Sequence, residues 1–119
     1  MAYEICPKFE KIFSILGRKW NGLILEVLLS DGDQRFAALS RKIPGISDRV
    51  LVERLKELER EHLVARCEIR TPGAKMHVEY GLTDRGRALK QVMSDTHEWA
   101  EVWVRDEECN QALLERTKK

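Results

Sequence analysis

Cysteine, aromatic residues and long apolar runs are all scarce in this chain, and each shortage closes off a class of protein. Cys6, Cys67 and Cys109 are an odd number at wide spacing, which argues against a disulfide-stapled secreted scaffold. No apolar run approaches the roughly 18 residues of a membrane span. The opening "MAYEICPKFEK" is too polar for a secretory signal and lacks an apolar h-region. A cytoplasmic protein with no membrane partner is therefore expected. His62, His77 and His97 have no ligand spacing to cysteine or carboxylate, so no metal site is expected. Nor is there a glycine-rich phosphate loop, a nucleophile elbow or an acid–base pair. The expectation is a protein with neither catalysis nor cofactor.

Strong charge of one sign is missing as well, since the net charge is only +1. Its distribution is uneven. Residues 1–32 carry four basic and four acidic groups, residues 33–87 twelve against nine, and residues 88–119 five against seven. The middle of the chain is the place for a polyanion, although an excess of this size carries little weight alone. Charged residues at 34% and aromatics at 7% of 119 residues fit one helix-rich domain, large enough to bury roughly two-thirds of its unfolded surface. That domain is expected over 1–107. The tail 108–119, with little beyond Leu113 and Leu114 to bury, is expected to fray.

What is present is periodicity. Phe9, Ile12, Phe13 and Leu16 predict a short amphipathic helix with Pro7 in its first turn and Gly17 at its end. Trp20, Leu23, Ile24, Val27 and Leu28 predict a second, and Phe36, Leu39 and Ile43 a third. Pro44-Gly45 closes that one. Ser47 is placed to cap a fourth, whose buried stripe is Leu51, Leu55 and Leu58, leaving Arg49, Glu53, Lys56 and Arg60 outward. The period then changes to two. Ala65, Cys67 and Ile69 share one face of a strand, with Cys67 expected in the core, and Val78, Tyr80 and Leu82 share one face of its partner. Pro72-Gly73 connects them, so this is a hairpin. Thr83 caps a last helix with a heptad seam of Leu89, Val92, Thr96, Trp99 and Trp103, longer than a small core needs. The fold expected is mainly α with a small β-hairpin (α+β): a winged helix-turn-helix with a terminal dimerisation helix.

Several strings carry a resemblance. "CP" at 6–7, "LGRKW" at 16–20, "RFAAL" at 35–39, "IPGISDRVLVERLKELEREHLV" at 43–64 and "VEYGLTDRGRAL" at 78–89 resemble, in register, the HxlR-type family of bacterial winged-helix transcriptional regulators. The resemblance implies a homodimeric DNA-binding regulator with partner contacts from its terminal helices. Val52 and Glu53 depart from the smaller or amide side chains frequent in relatives, so the operator sequence does not transfer.

In helix-turn-helix proteins the N-terminal residues of the second helix meet base edges. Here these are Ser47, Asp48, Arg49, Val50 and Glu53. Arg49 can donate twice to guanine, Glu53 can accept from cytosine N4, and Val50 can meet a thymine methyl. The plain alternative is a solvated helix face. Arg35, Arg41 and Lys42 are candidates for phosphate contacts, and Arg70, Lys75 and His77 for a wing tip following the backbone or a minor groove. Cys6 starts a helix beside Lys8, a setting that favours thiolate. In several members of the family such a cysteine is a thiol switch for oxidants or electrophiles; a small apolar cap is the alternative. Cys109 is a candidate resolving thiol across a dimer. Trp20, Trp99 and Trp103 are either anchors in core and interface or the lining of an aromatic effector pocket.

Two functional readings follow. One is a dimeric regulator, repressor rather than activator, on a pseudo-palindromic double-stranded operator with half-sites roughly 34 Å apart. The other is a winged-helix protein-interaction module without a DNA role. A thiol enzyme lacks any general base near Cys6 in the sequence.

Overall fold

The computed structural model describes residues 4–109. Along the chain lie α1 (Pro7–Leu16), α2 (Asn21–Asp31), α3 (Phe36–Lys42), α4 (Asp48–Arg60), β1 (Val64–Ile69), β2 (His77–Leu82), α5 (Asp84–Arg87) and α6 (Lys90–Trp103). Helix α4 forms because leucines recur at its buried positions and Ser47 Oγ accepts the Val50 N–H at 3.2 Å. It stops in a Schellman turn. The His62 N–H bonds Glu59 O at 2.9 Å, the Leu63 N–H bonds Leu58 O at 3.0 Å, and His62 takes φ +60°. That left-handed position usually belongs to glycine. Leu58 and Leu63 are both buried, supplying the apolar contact that accompanies the motif.

The core gathers Ile24, Leu25 and Leu28 of α2, Leu39 of α3, Leu51, Leu55 and Leu58 of α4, and Leu63 and Val64 at the base of the hairpin. The strands pair antiparallel from Val64 opposite Leu82 to Ile69 opposite His77. An isolated bridge between Gln34 and Tyr80 fastens the segment before α3 to β2, with N–H to O distances of 2.9 and 2.8 Å.

Four sequence expectations need correcting. In α1 the buried residue is Ile15, while Phe9 and Phe13 are each 59% exposed. The stripe is real, but it faces away from this chain's own core. In α2 the buried set is Asn21, Ile24, Leu25 and Leu28, so Leu25 is core and Leu23 is exposed. The helix is apolar on most sides, and a polar residue leads the buried stripe, which hid its phase from a hydrophobicity pattern. Trp20 precedes the helix at φ +84° rather than belonging to it. Cys67 is exposed, because it pairs with Glu79, on the face of the hairpin opposite the one through which Val64, Tyr80 and Leu82 meet the core.

The last helix is divided. Thr83 Oγ1 accepts the Gly86 N–H at 3.0 Å and caps α5, but Leu89 closes on Gly86 O with an i to i−3 bond of 3.1 Å before α6 begins. That tighter turn sets α6 off from α5. Helix α6 buries none of its residues in the single chain. Leu113 and Leu114, and all of the predicted tail beyond Cys109, lie outside the described residues.

Candidate nucleic-acid interface

The helix-turn-helix is built from α3, the turn 43–47 and α4. Ile43 and Ile46 are buried on either side of Pro44-Gly45, and Gly45 takes φ +91°, a conformation that costs glycine least. The turn therefore has an apolar underside that locks the angle between the helices. Ser40 Oγ donates to Asp48 Oδ1 at 3.1 Å and joins them across the top.

The outer face of α4 presents Arg49, Val52, Glu53 and Lys56, all exposed. Val50, expected from the sequence to meet a thymine methyl, is instead half-buried against the core, because it shares the inner side of the helix with Leu51 and Leu58. Val52, at 38% exposure, is the apolar side chain that this face offers to solvent. Neither Val52 nor Lys56 was singled out for base contact from the sequence. The signal that could have found them was the helical phase fixed by Leu51, Leu55 and Leu58. The acidic residues towards the end of α4 are largely occupied elsewhere. Glu57 Oε1 accepts from Asn21 Nδ2 at 3.2 Å and lies 3.4 Å from Arg18 Nε, and Glu61 pairs with Lys11 at 3.1 Å. Their charge is spent on the protein body, which leaves the N-terminal face free of it.

Around this face the candidate cations differ in availability. Arg35 and Arg41 are exposed at the two ends of α3. Lys42 Nζ is engaged by Asp31 Oδ2 at 3.0 Å and Gln34 Oε1 at 2.9 Å. On the wing, Gly73 turns the tip with φ +80° and Lys75 is exposed beyond it. Arg70 reaches back to Glu68 at 3.1 Å, and His77 Nε2 lies 2.7 Å from Glu79 Oε2 with both partly buried. The exposed Arg70–Glu68 and Lys42–Asp31 pairs are weak enough for a phosphate to displace. The set divides into a central exposed face on α4 and a flank of cations around it.

A family profile described as HxlR-like helix-turn-helix matches residues 15–108. The chain belongs to this family. Among the relatives of this HxlR-like regulator, the HTH-type transcriptional regulator YodB of Bacillus subtilis is 45% identical over 101 residues, 85% of this chain and 88% of YodB. In structure, reduced YodB superposes with a TM-score of 0.75 at 43% identity, over 86% of this chain and 97% of that one. The oxidised form of the redox regulator HypR gives 0.71 at 35% identity, over 85% and 99%. YodB has also been seen diamide-treated and quinone-bound. The HxlR-like chain is thus a helix-turn-helix transcriptional regulator with a winged-helix fold, and not an enzyme.

Two further parts of the HxlR-like chain stand apart from the DNA face. Cys6 is exposed at the N-terminus of α1, where its carbonyl accepts the Glu10 N–H at 3.0 Å and its side chain makes no cap bond. Cys109 is exposed too. Val92, Trp99 and Trp103 of the predicted seam are exposed large apolar residues, as are Phe9 and Phe13, whose rings stand 4.8 Å apart. Thr96 turns its hydroxyl onto Val92 O at 2.8 Å, and Leu89 is half-buried against the core. Among the described residues, no helix is long and apolar enough to cross a membrane, and no three His, Cys, Asp or Glu side chains group around a metal position.

Proposed function

We propose that the chain is a homodimeric cytoplasmic repressor that reads a pseudo-palindromic operator and releases it when a thiol is modified. The observation that carries this reading is the N-terminal face of α4, where Arg49, Val52, Glu53 and Lys56 are all exposed while Glu57 and Glu61 are engaged by Asn21, Arg18 and Lys11. Arg49 donates to guanine, Glu53 accepts from cytosine, and Val52 meets a thymine methyl. The wing lies along a phosphate backbone through Lys75 and Arg70, with His77 behind them. Arg35, Arg41 and Lys42 hold the other flank, and Ser47 and Asp48 fix the start of the helix. The domain extends over 1–107.

Arg49→Ala is expected to weaken specific binding by about 1–3 kcal/mol and to relax preference at one base position. Lys75→Ala is expected to weaken binding to all sequences alike and to lower the salt slope by about one unit. Footprints and salt-titrated affinities on selected operator fragments check both. An unchanged footprint for Arg49→Ala would pass the reading role to another side chain. Absence of any steep salt dependence would favour a protein-interaction module.

Exposure of Cys6 at a helix start, and the quinone-bound and diamide-treated forms of YodB, support a thiol switch. With a quinone, the Cys6 thiolate forms an S–C bond, and the displaced π-electron pair and a proton reduce the ring to a hydroquinone thioether. With a diazene oxidant, Cys6 and a partner thiol, Cys109 being the candidate, give up two electrons and two protons to form a disulfide. Either product adds bulk or a cross-link beside the dimerising helices and misplaces recognition helices that must span two grooves together. Operator affinity of the wild type should fall on treatment with a quinone, and Cys6→Ser should resist. Equal loss in both proteins would transfer the switch to Cys67 or Cys109.

A further inference from the structure

A cleft of about 480 Å³ opens between the α1–α2 turn and α6, away from both the α4 face and Cys6. Its size falls within the usual range for small-molecule sites. Trp20, Leu23, Met93 and Ala100 supply apolar walls, and Arg18 and Lys19 stand at the rim. We infer that this cleft binds a flat aromatic carboxylate and that the recognition helix reads its occupancy.

Several features argue for that chemistry. Trp20 is held at φ +84°, an uncommon backbone for a bulky residue that is maintained only where the surroundings enforce it. Its indole lies against the cleft with Lys19 Nζ 5.0 Å from the ring centroid, so an aromatic face and a cation come together. Arg18 and Lys19 give the lining two cations against one carboxylate, Glu26, which His97 Nε2 holds at 2.6 Å. Gly22 lies in the lining, and an added Cβ there would meet no atom within 4 Å. The Gly22 and Leu23 N–H groups in the first turn of α2 have no acceptor among the described residues. An aromatic ring fits against the indole and apolar wall, and its carboxylate fits the cations and these amides.

The turn that forms one wall is tied to α4 by several bonds. Arg54 Nε donates to Lys19 O at 3.1 Å. Glu57 Oε1 is shared between Arg18 Nε at 3.4 Å and Asn21 Nδ2 at 3.2 Å, and Asn21, fully buried, also donates to Ile15 O at 2.9 Å. A ligand that draws Arg18 or Lys19 into the cleft therefore pulls on the helix that faces DNA.

The regulatory half of this inference rests on the DNA-binding reading; the binding half does not. The full chain is titrated calorimetrically, without DNA, with 2-naphthoate as probe and 2-naphthamide as its neutral analogue. Saturable binding is expected, about tenfold or more weaker for the amide, which lacks the charge. Gly22→Leu should fill the cleft and weaken 2-naphthoate at least about tenfold, with melting temperature and sedimentation unchanged. Equal affinity for acid and amide, or no binding at millimolar probe, would overturn the proposal. So would a Gly22→Leu protein that falls to monomer, because the cleft would then belong to the subunit interface. In the second arm, 2-naphthoate should release a bound operator fragment from the wild type. Glu57→Gln, which frees Arg18 from its pair, should bind the probe at least as tightly yet hold the fragment; parallel release by both proteins would remove the α4 linkage. If no fragment binds at all, the DNA reading fails while the calorimetric result stands.

Discussion

Trp99→Ala should convert a tight dimer into one that dissociates about a thousandfold more readily. In the single chain Trp99 is 62% exposed and Trp103 67% exposed, and no α6 residue is buried. Truncating either residue therefore removes almost nothing from the chain's own core. In a two-fold dimer each substitution deletes two anchors, and a buried aromatic anchor is worth about 2 kcal/mol or more. About 4 kcal/mol per substitution corresponds to roughly three decades in the dissociation constant. Operator affinity should drop by about 10²–10⁴-fold with it, since two linked recognition helices become two separate ones. Sedimentation equilibrium and operator titration on the same preparations check this. A wild-type monomer at micromolar concentration, or a Trp99→Ala protein that sediments as the wild type does, would sink the assignment of this face to dimerisation.

Gly86→Ala should be among the most damaging single-methyl substitutions for folding. A Cβ at Gly86 would stand 2.2 Å from Leu63 O and 3.0 Å from Leu82 Cδ2. The first contact is with backbone, which cannot rotate away. That carbonyl also accepts the Thr83 N–H at 3.1 Å, while Thr83 Oγ1 donates to His62 O at 2.6 Å. The clash falls on the joint that holds α5 to the end of α4. Overpacking of this kind costs about 3 kcal/mol, more than the roughly 1 kcal/mol that alanine gains over glycine in a helix. With a net cost of about 2 kcal/mol, a fall in melting temperature of roughly 6–10 °C is expected. Gly22→Ala is the matched control, because its methyl meets no atom within 4 Å. Equal melting temperatures for the two variants, compared at one protein concentration, would show that the α5 joint yields without cost.

Much of the fold was legible, and the reasons are local. Helix α4 carries a clean leucine stripe, an oxygen-bearing cap at Ser47 and a Pro-Gly turn before it, so propensity, pattern and capping agree. The hairpin showed itself by a change of period. What failed was the assignment of apolar faces to bodies. Phe9 and Phe13 obey the same helical spacing as core residues, and spacing cannot say whether the surface they meet is the same chain's or another's. Asn21 leads the buried stripe of α2 because its amide is satisfied by Ile15 O and Glu57, a tertiary compensation invisible to hydropathy. Cys67 alternates along β1, but pairing with Glu79 sets it on the face away from Val64, Tyr80 and Leu82, and the alternation of one strand does not say which face is inside. For the interface, the charge of α4 summed over its length misleads, whereas helical phase separates the outward Arg49 and Glu53 from Glu57 and Glu61, which are occupied by the body.

The bridge between Gln34 and Tyr80 has a consequence for how such regulators diversify. The wing is fastened low, at Tyr80 by Gln34 and at Val64 by the core, and its ladder ends at Ile69 opposite His77. Everything from residue 70 to residue 76 is tip. Insertions or deletions there can lengthen or shorten the reach along DNA without shifting strand register or disturbing α3 and α4. Substitutions on the exposed face of α4 can in turn change base preference without loosening the wing. Paralogues descended from this architecture can vary the breadth of a binding site and its letters as two separately heritable traits.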